Sequence, residues 1–255
     1  MTSPLKVWLE AEGRLLRLRL SRPKANIVDA AMIAALRGAL DAHLGNAGLG
    51  AVLLDAEGPH FSFGASVEEH APDKCADMLR DIHALVLRFV ESPVPVLVAV
   101  RGQCLGGGLE VAAASHMMFV APDAALGQPE MKLGVFAPAA SCLLPELIGP
   151  QRALDLLLSG RSISGTEAAT IGLAAAAAAD PEAAALAYFN EHLKPKSASS
   201  LRYAVKAARS DFAARVKAKI AAVEALYLDG LMKTHDAVEG LDAFLKKRAA
   251  NWEHR

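Results

Sequence analysis

In VPVLVAVRGQCLGGGLEVAAASHMMFVA, Val94 to Ala121, a Val-rich run leads into a glycine loop, a helical pattern and a second apolar run. A short apolar run bounded by turn residues reads as a buried strand, and strands alternating with helices imply an α/β domain. The rhythm extends toward the N-terminus. AVLLDAEG (Ala51 to Gly58) reads as another buried strand. VDAAMIAALRGALDAHL before it and CADMLRDIHALVLRFVES after it carry helical apolar spacing, with Asp29 placed to cap the first. Val7 to Arg22 reads as a hairpin turning at Glu12 and Gly13. There Leu16, Leu18 and Leu20 alternate with Arg17 and Arg19, which predicts one core face and one wet face.

From Pro150 onward the texture is helical. Asp180-Pro181 marks a helix start after the low-complexity run Ala174 to Ala179, itself a loop or weak strand. A long amphipathic segment follows from Ser197 to Trp252, broken near Gly230. The expected organisation is an α/β core over residues 1–195 and a helical region over 196–255. The apolar positions of that region exceed what a lone helical tail can hide, which predicts burial between subunits.

Over 255 residues, Lys and Arg (27) nearly balance Asp and Glu (28), and the net charge of -1 creates no field that would attract nucleic acid or an anionic membrane. An anionic substrate must be held by local charges. The three cysteines, Cys75, Cys104 and Cys142, form no CxxC pair and no disulfide framework, which suits a reducing cytoplasm. MTSPLKVWLEAEGR lacks the design of a secretory signal, and no apolar run approaches the roughly 20 residues that span a bilayer.

Two glycine-rich loops each follow a buried strand: GPHFSFGASVEEH (Gly58 to His70) and RGQCLGGGLEVAAASH (Arg101 to His116). Consecutive glycines opening a helix gather free backbone N–H groups at the positive end of its dipole, a place suited to an anion, either phosphate or a developing enolate. No Gly-Lys-Ser/Thr follows and GxGxxG spacing is absent, so nucleotide phosphate is the weaker choice. Close helix–strand packing is the competing explanation of the glycines. Glu110 follows on the first helical turn, either as a solvated partner of the dipole or as a buried acid/base. Glu130, in FVAPDAALGQPEMKLG, brings a second carboxylate. Two carboxylates beside an anion-stabilising loop can take a proton from water and deliver one elsewhere. His60 and His70 flank the first loop without metal-ligand spacing, so no metal is expected.

These motifs resemble those of the crotonase (enoyl-CoA hydratase) superfamily. FSFGAS is similar to its F-x-A-G-A-D, RGQCLGGGLE to N-G-x-x-x-G-G-G-x-E and ALGQPEMKLG to F-G-x-P-E-x-x-L-G. RPKANIVD, SGRSISGTEAATIGLA and THDAVEGLDAFLKKR extend the similarity over nearly the whole chain. The resemblance implies an α/β spiral of ββα units and a C-terminal helical region that forms trimers or hexamers. It implies that the Ala65 and Gly107 N–H groups make an oxyanion hole for a thioester oxygen and that Glu110 and Glu130 are the catalytic pair. An acyl-CoA thioester would be the substrate, with no separate cofactor. Ala25, Asn26 and Ala65 fall where relatives line the adenine and pantetheine channel, Ser66, Val67 and Gly106 border it, and Phe244 and Lys247 match a contact made across a subunit interface.

Two departures bear on specificity. Ser66 stands where the family places aspartate, and GVFAPAAS (Gly134 to Ser141) replaces G-x-x-P-G-x-G-G. Because that segment borders the acyl pocket in the family, Phe136 and Ala137 are expected to reshape it for something other than a straight chain. FSFGASVEEH with GQPEMKLGVFAP is most similar to hydratases of cyclic dienoyl-CoA thioesters from anaerobic aromatic degradation. The alternatives are straight-chain hydration, double-bond isomerisation, or a silent CoA- or RNA-binding homologue, which the two glutamates and the lack of a basic stripe disfavour.

Overall fold

The computed structural model describes residues 3–71 and 74–255. Strand β1 (Leu5–Glu10) pairs antiparallel with β2 (Leu15–Leu20) across a turn that takes Gly13 at φ 83°. Helix α1 (Ala30–His43) begins where the Asp29 carboxylate accepts from the Met32 N–H. There follow β3 (Ala51–Ala56), α2 (Cys75–Val90), β4 (Val96–Val100), β5 (Gln103–Leu105), α3 (Gly107–Ala113), β6 (Met117–Val120) and β7 (Ala125–Gly127). Next come α4 (Pro138–Ile148), α5 (Pro150–Ser159), β8 (Ser162–Ser164), α6 (Gly165–Thr170), β9 (Ala176–Ala177) and α7 (Pro181–Tyr188). The long α8 (Ala198–Ala225) and α9 (His235–Leu245) complete the described order. No helix among the described residues is long and apolar enough to cross a membrane.

One sheet has the order β1-β2-β3-β4-β6-β9 and is parallel from β2 onward; a smaller one has the order β5-β7-β8. Three chain segments in succession pass through both. After β3, β4 and β6 the chain makes a second pairing, through Ser62, β5 and β7 in turn, before entering α2, α3 and α4. Ser62 bridges Cys104 and Cys104 pairs with Leu126, so these three residues form one rung across successive turns of a ββα spiral.

The hairpin departs from the expected wet face. Arg17 is buried at 3% exposure, because α7 packs over that side of the sheet and brings Ala185 and Phe189 into a second apolar core. The guanidinium is compensated there: Nη2 donates to Asp55 Oδ2 at 2.6 Å and to Glu182 Oε1 at 2.5 Å, and the group lies 4.9 Å from the centre of the Trp8 ring. Arg19 completes the cluster with two further bonds to Asp55. Buried charge survives in this position only because every member is paired. The C-terminal α8 begins at its Ser197 cap and lies against α2 and α4 of the same chain.

Candidate active site

Three residues beyond the rung, on its three successive turns, stand Ala65, Gly107 and Pro129, the last adjoining Glu130. The spiral register therefore stacks both glycine loops and the second carboxylate at one end of the small sheet. Gly106 has φ 49° and ψ -129°, and a Cβ there would meet Glu130 Oε1 at 2.6 Å. A Cβ on Gly107 would lie 3.1 Å from the Ala65 nitrogen. Both readings of the glycines thus hold together: close packing is the means by which the polar groups meet. Among the described residues neither the Ala65 nor the Gly107 N–H has an acceptor. Two such unpaired donors side by side suit an oxygen that gains negative charge.

These groups open on a cavity of about 70 Å³, lined among others by Val67, His70, Glu110, Glu130 and Phe136. Glu110 is buried on α3, and its Oε1 accepts from the Ala140 N–H at 2.8 Å. That donor belongs to the first turn of α4, which starts at Pro138 inside the GVFAPAAS segment. Ala137, Ala139 and Ala140 are buried, and their small side chains let the helix end approach the carboxylate, while Phe136 faces the cavity. Burial raises the Glu110 pKa; the Ala140 N–H, then the His83 imidazole, then the Ala139 N–H act against the rise. His83 is itself buried and donates through Nδ1 to Glu224 Oε2 at 2.6 Å, linking α2 to α8. For Glu130, burial first and the Glu110 charge second push the pKa up from 4.5 to about 8. The Gln128 amide, with its nitrogen turned inward, donates to both Glu130 oxygens at 3.2 and 3.1 Å. A charge on Glu110 thus disfavours ionisation of Glu130, as expected of two carboxylates that share one buried site.

The sequence profile of the enoyl-CoA hydratase/isomerase family matches residues 10–255. The chain belongs to that family. Among curated members, a cyclohexa-1,5-dienecarbonyl-CoA hydratase of Thauera aromatica is 68% identical over 254 residues, covering 100% of this chain and 98% of its own. A probable enoyl-CoA hydratase of Bacillus subtilis is 32% identical, with 91% and 92% covered. Of solved structures, an enoyl-CoA hydratase from Mycobacterium avium superposes with a TM-score of 0.88 at 25% identity, covering 99% of this chain and 100% of that one. The crotonase-like fold and an acyl-CoA hydratase activity follow from these relationships.

The other candidate residues of this enoyl-CoA hydratase are placed as follows. Ala25 is half-buried and its carbonyl accepts from the Phe63 N–H at 2.9 Å, tying the Pro23–Asn26 turn to the first glycine loop. Asn26 lies beneath that turn. Its Nδ2 donates to the Glu57 and His60 carbonyls, both at 3.0 Å, and its Oδ1 accepts from the Arg22 N–H, so the buried side chain braces the loop. Ser66 bonds Glu68 through Oγ, and its carbonyl lies 2.8 Å from His70 Nδ1. Phe244 and Lys247 are exposed at the end of α9, outside the cavity of their own chain. A wider cleft of about 610 Å³ between the end of α2 and α8 carries Glu91, Arg202, Lys206 and Arg209 but no paired carboxylates. Sequence reasoning missed the Ala140 donor, which Pro138 at a helix start signalled. It also missed His83, whose partner is 141 positions away and carries no local signature.

Proposed function

We propose that this hydratase adds water to cyclohexa-1,5-diene-1-carbonyl-CoA, by 1,4-addition, giving a 6-hydroxycyclohex-1-ene-1-carbonyl thioester. The observation that carries the chemistry is the unequal carboxylate pair beside two free N–H groups. The 68% identity with the Thauera enzyme supports the ring substrate. The thioester oxygen accepts from the Ala65 and Gly107 N–H groups, which stabilise the charge that develops on it; losing one such donor typically costs about 2.7 to 4 kcal/mol of transition-state stabilisation. Glu110, favoured as the carboxylate by the α4 amides, takes a proton from water as its oxygen attacks the β carbon. The resulting dienolate extends over the second ring double bond. Glu130, which holds its proton, delivers it to the γ carbon, and the remaining alkene stays conjugated with the carbonyl.

Phe136 faces the cavity from the segment that departs from the family pattern and sets the plane of the ring. Orientation matters here because a misplacement of about 1 Å can lower the rate about 10²-fold. Ala25, Val67 and Gly106 border the thioester and pantetheine path, and Phe244 and Lys247 contact CoA on a neighbouring subunit in a trimer or hexamer. Purified protein assayed against cyclic and straight-chain unsaturated CoA thioesters in deuterium oxide tests the reading. Label at the γ ring carbon is expected; label at the α carbon, or turnover of straight chains alone, rules it out.

A further inference from the structure

After α8 the helix loosens into a π turn over Leu226–Gly230, a widened geometry frequent at functional sites. It carries Tyr227, which is 1% exposed and stands edge-on to Phe136, ring centres 5.1 Å apart at 71°. Phe136 lines the cavity, so the two rings form one aromatic wall behind it. The Tyr227 hydroxyl has no hydrogen-bond partner among the described residues. A buried phenol normally finds one, and an unmet donor in an apolar surround is destabilising.

The polar groups whose charge reaches this hydroxyl are the Cys75 thiol and then Glu130 and Glu110; with burial as the first cause, they push the phenol pKa up. The group is therefore a neutral O–H donor, buried directly behind the Phe136 ring that lines the cavity. In the hydration reading above, the oxygen added to the acyl group enters the cavity that Phe136, Glu110 and Glu130 line.

We propose that the Tyr227 hydroxyl donates a hydrogen bond to that oxygen, as attacking water and as the product's hydroxyl, and so selects hydroxylated acyl groups. The assignment rests on the hydration reading above. It accounts for an orphan donor that contributes nothing to the free protein: its partner arrives with the substrate. A site built to bond a hydroxyl discriminates against the analogue that lacks it, since the buried donor is then left unmet.

The test compares Tyr227→Phe with the parent, both in an E110Q background that slows turnover, by calorimetric binding of 6-hydroxycyclohex-1-ene-1-carbonyl-CoA and of cyclohex-1-ene-1-carbonyl-CoA. The expected result is about 5- to 10-fold weaker binding of the hydroxylated thioester, less than about 2-fold change for the other, and a melting temperature unchanged or raised. Equal effects on both ligands, no effect on either, or a lowered melting temperature would overturn it. If the parent binds neither ring thioester, the ring-substrate reading fails separately. The same comparison with 3-hydroxybutanoyl-CoA and butanoyl-CoA then decides the tyrosine, a selective loss supporting its role and an equal loss overturning it.

Discussion

The carboxylate of Glu130 occupies the space beside Gly106 that any side chain would claim, with Oε1 2.6 Å from the position of an added Cβ. The left-handed φ of Gly106 and the placement of the second acid/base are thus one constraint. Gly106→Ala is expected to lower kcat at least about 10²-fold by displacing Glu130, and to destabilise the fold by about 1–3 kcal/mol through backbone strain. Steady-state kinetics with urea unfolding measures both, and a stable, fully active variant would contradict the coupling.

Glu110→Gln and Glu130→Gln should each reduce kcat by at least about 10²-fold, the low end for general acid–base catalysis. The amide preserves shape, so calorimetric affinity for a CoA thioester should hardly change. Near-normal turnover in either variant would mean that the wrong carboxylate has been assigned.

Because burial and Glu110 raise the Glu130 pKa to about 8, the acid form persists through neutrality. kcat/KM should fall tenfold per pH unit above that region. The stability effect has a definite sign. A folded pKa above the unfolded 4.5 gives a contribution fully present below pH 4.5 that is lost as pH rises to about 8. The melting temperature of Glu130→Gln should lack that decline, and parallel pH profiles for parent and variant would count against a proton held at Glu130.

Arg17→Ala leaves Asp55 with Arg19 alone. Removing one member of a buried ion cluster typically destabilises by about 3–5 kcal/mol, and the retained Arg19 places the loss at the lower end. The cluster is on the opposite side of the sheet from the glutamates, so kcat should be unchanged. Denaturant titration and initial rates together check this.

Large exposed apolar side chains, among them Tyr203, Leu158 and Leu226, predict self-association. Sedimentation at micromolar concentration should show a trimer or hexamer, and a monomer would disprove it.

Much of the site was legible because it depends on backbone rules. Three glycines before Glu110 mark a close approach, and Pro129 introduces Glu130. Helix starts at Asp29 and Asp180 are readable because a carboxylate caps them locally. Long-range partners left no such trace. The alternation of Arg17 and Arg19 announced a solvated face, yet α7 arrives from more than 160 positions away to cover it. Tyr227 and His83 likewise acquire their surroundings from elements far along the chain.

The rung of Ser62, Cys104 and Leu126 has a consequence for how this chain can be lengthened. The reactive groups are counted off from it by three residues, so a single insertion between Ser62 and Ala65, or between Cys104 and Gly107, would rotate one donor out of phase with its neighbour. An insertion in the turn at Gly45–Gly48, upstream of the strand that leads to the rung, would be absorbed before the count begins. Tolerance to added residues along the sequence should therefore be punctuated, with narrow intolerant windows recurring once per turn of the spiral.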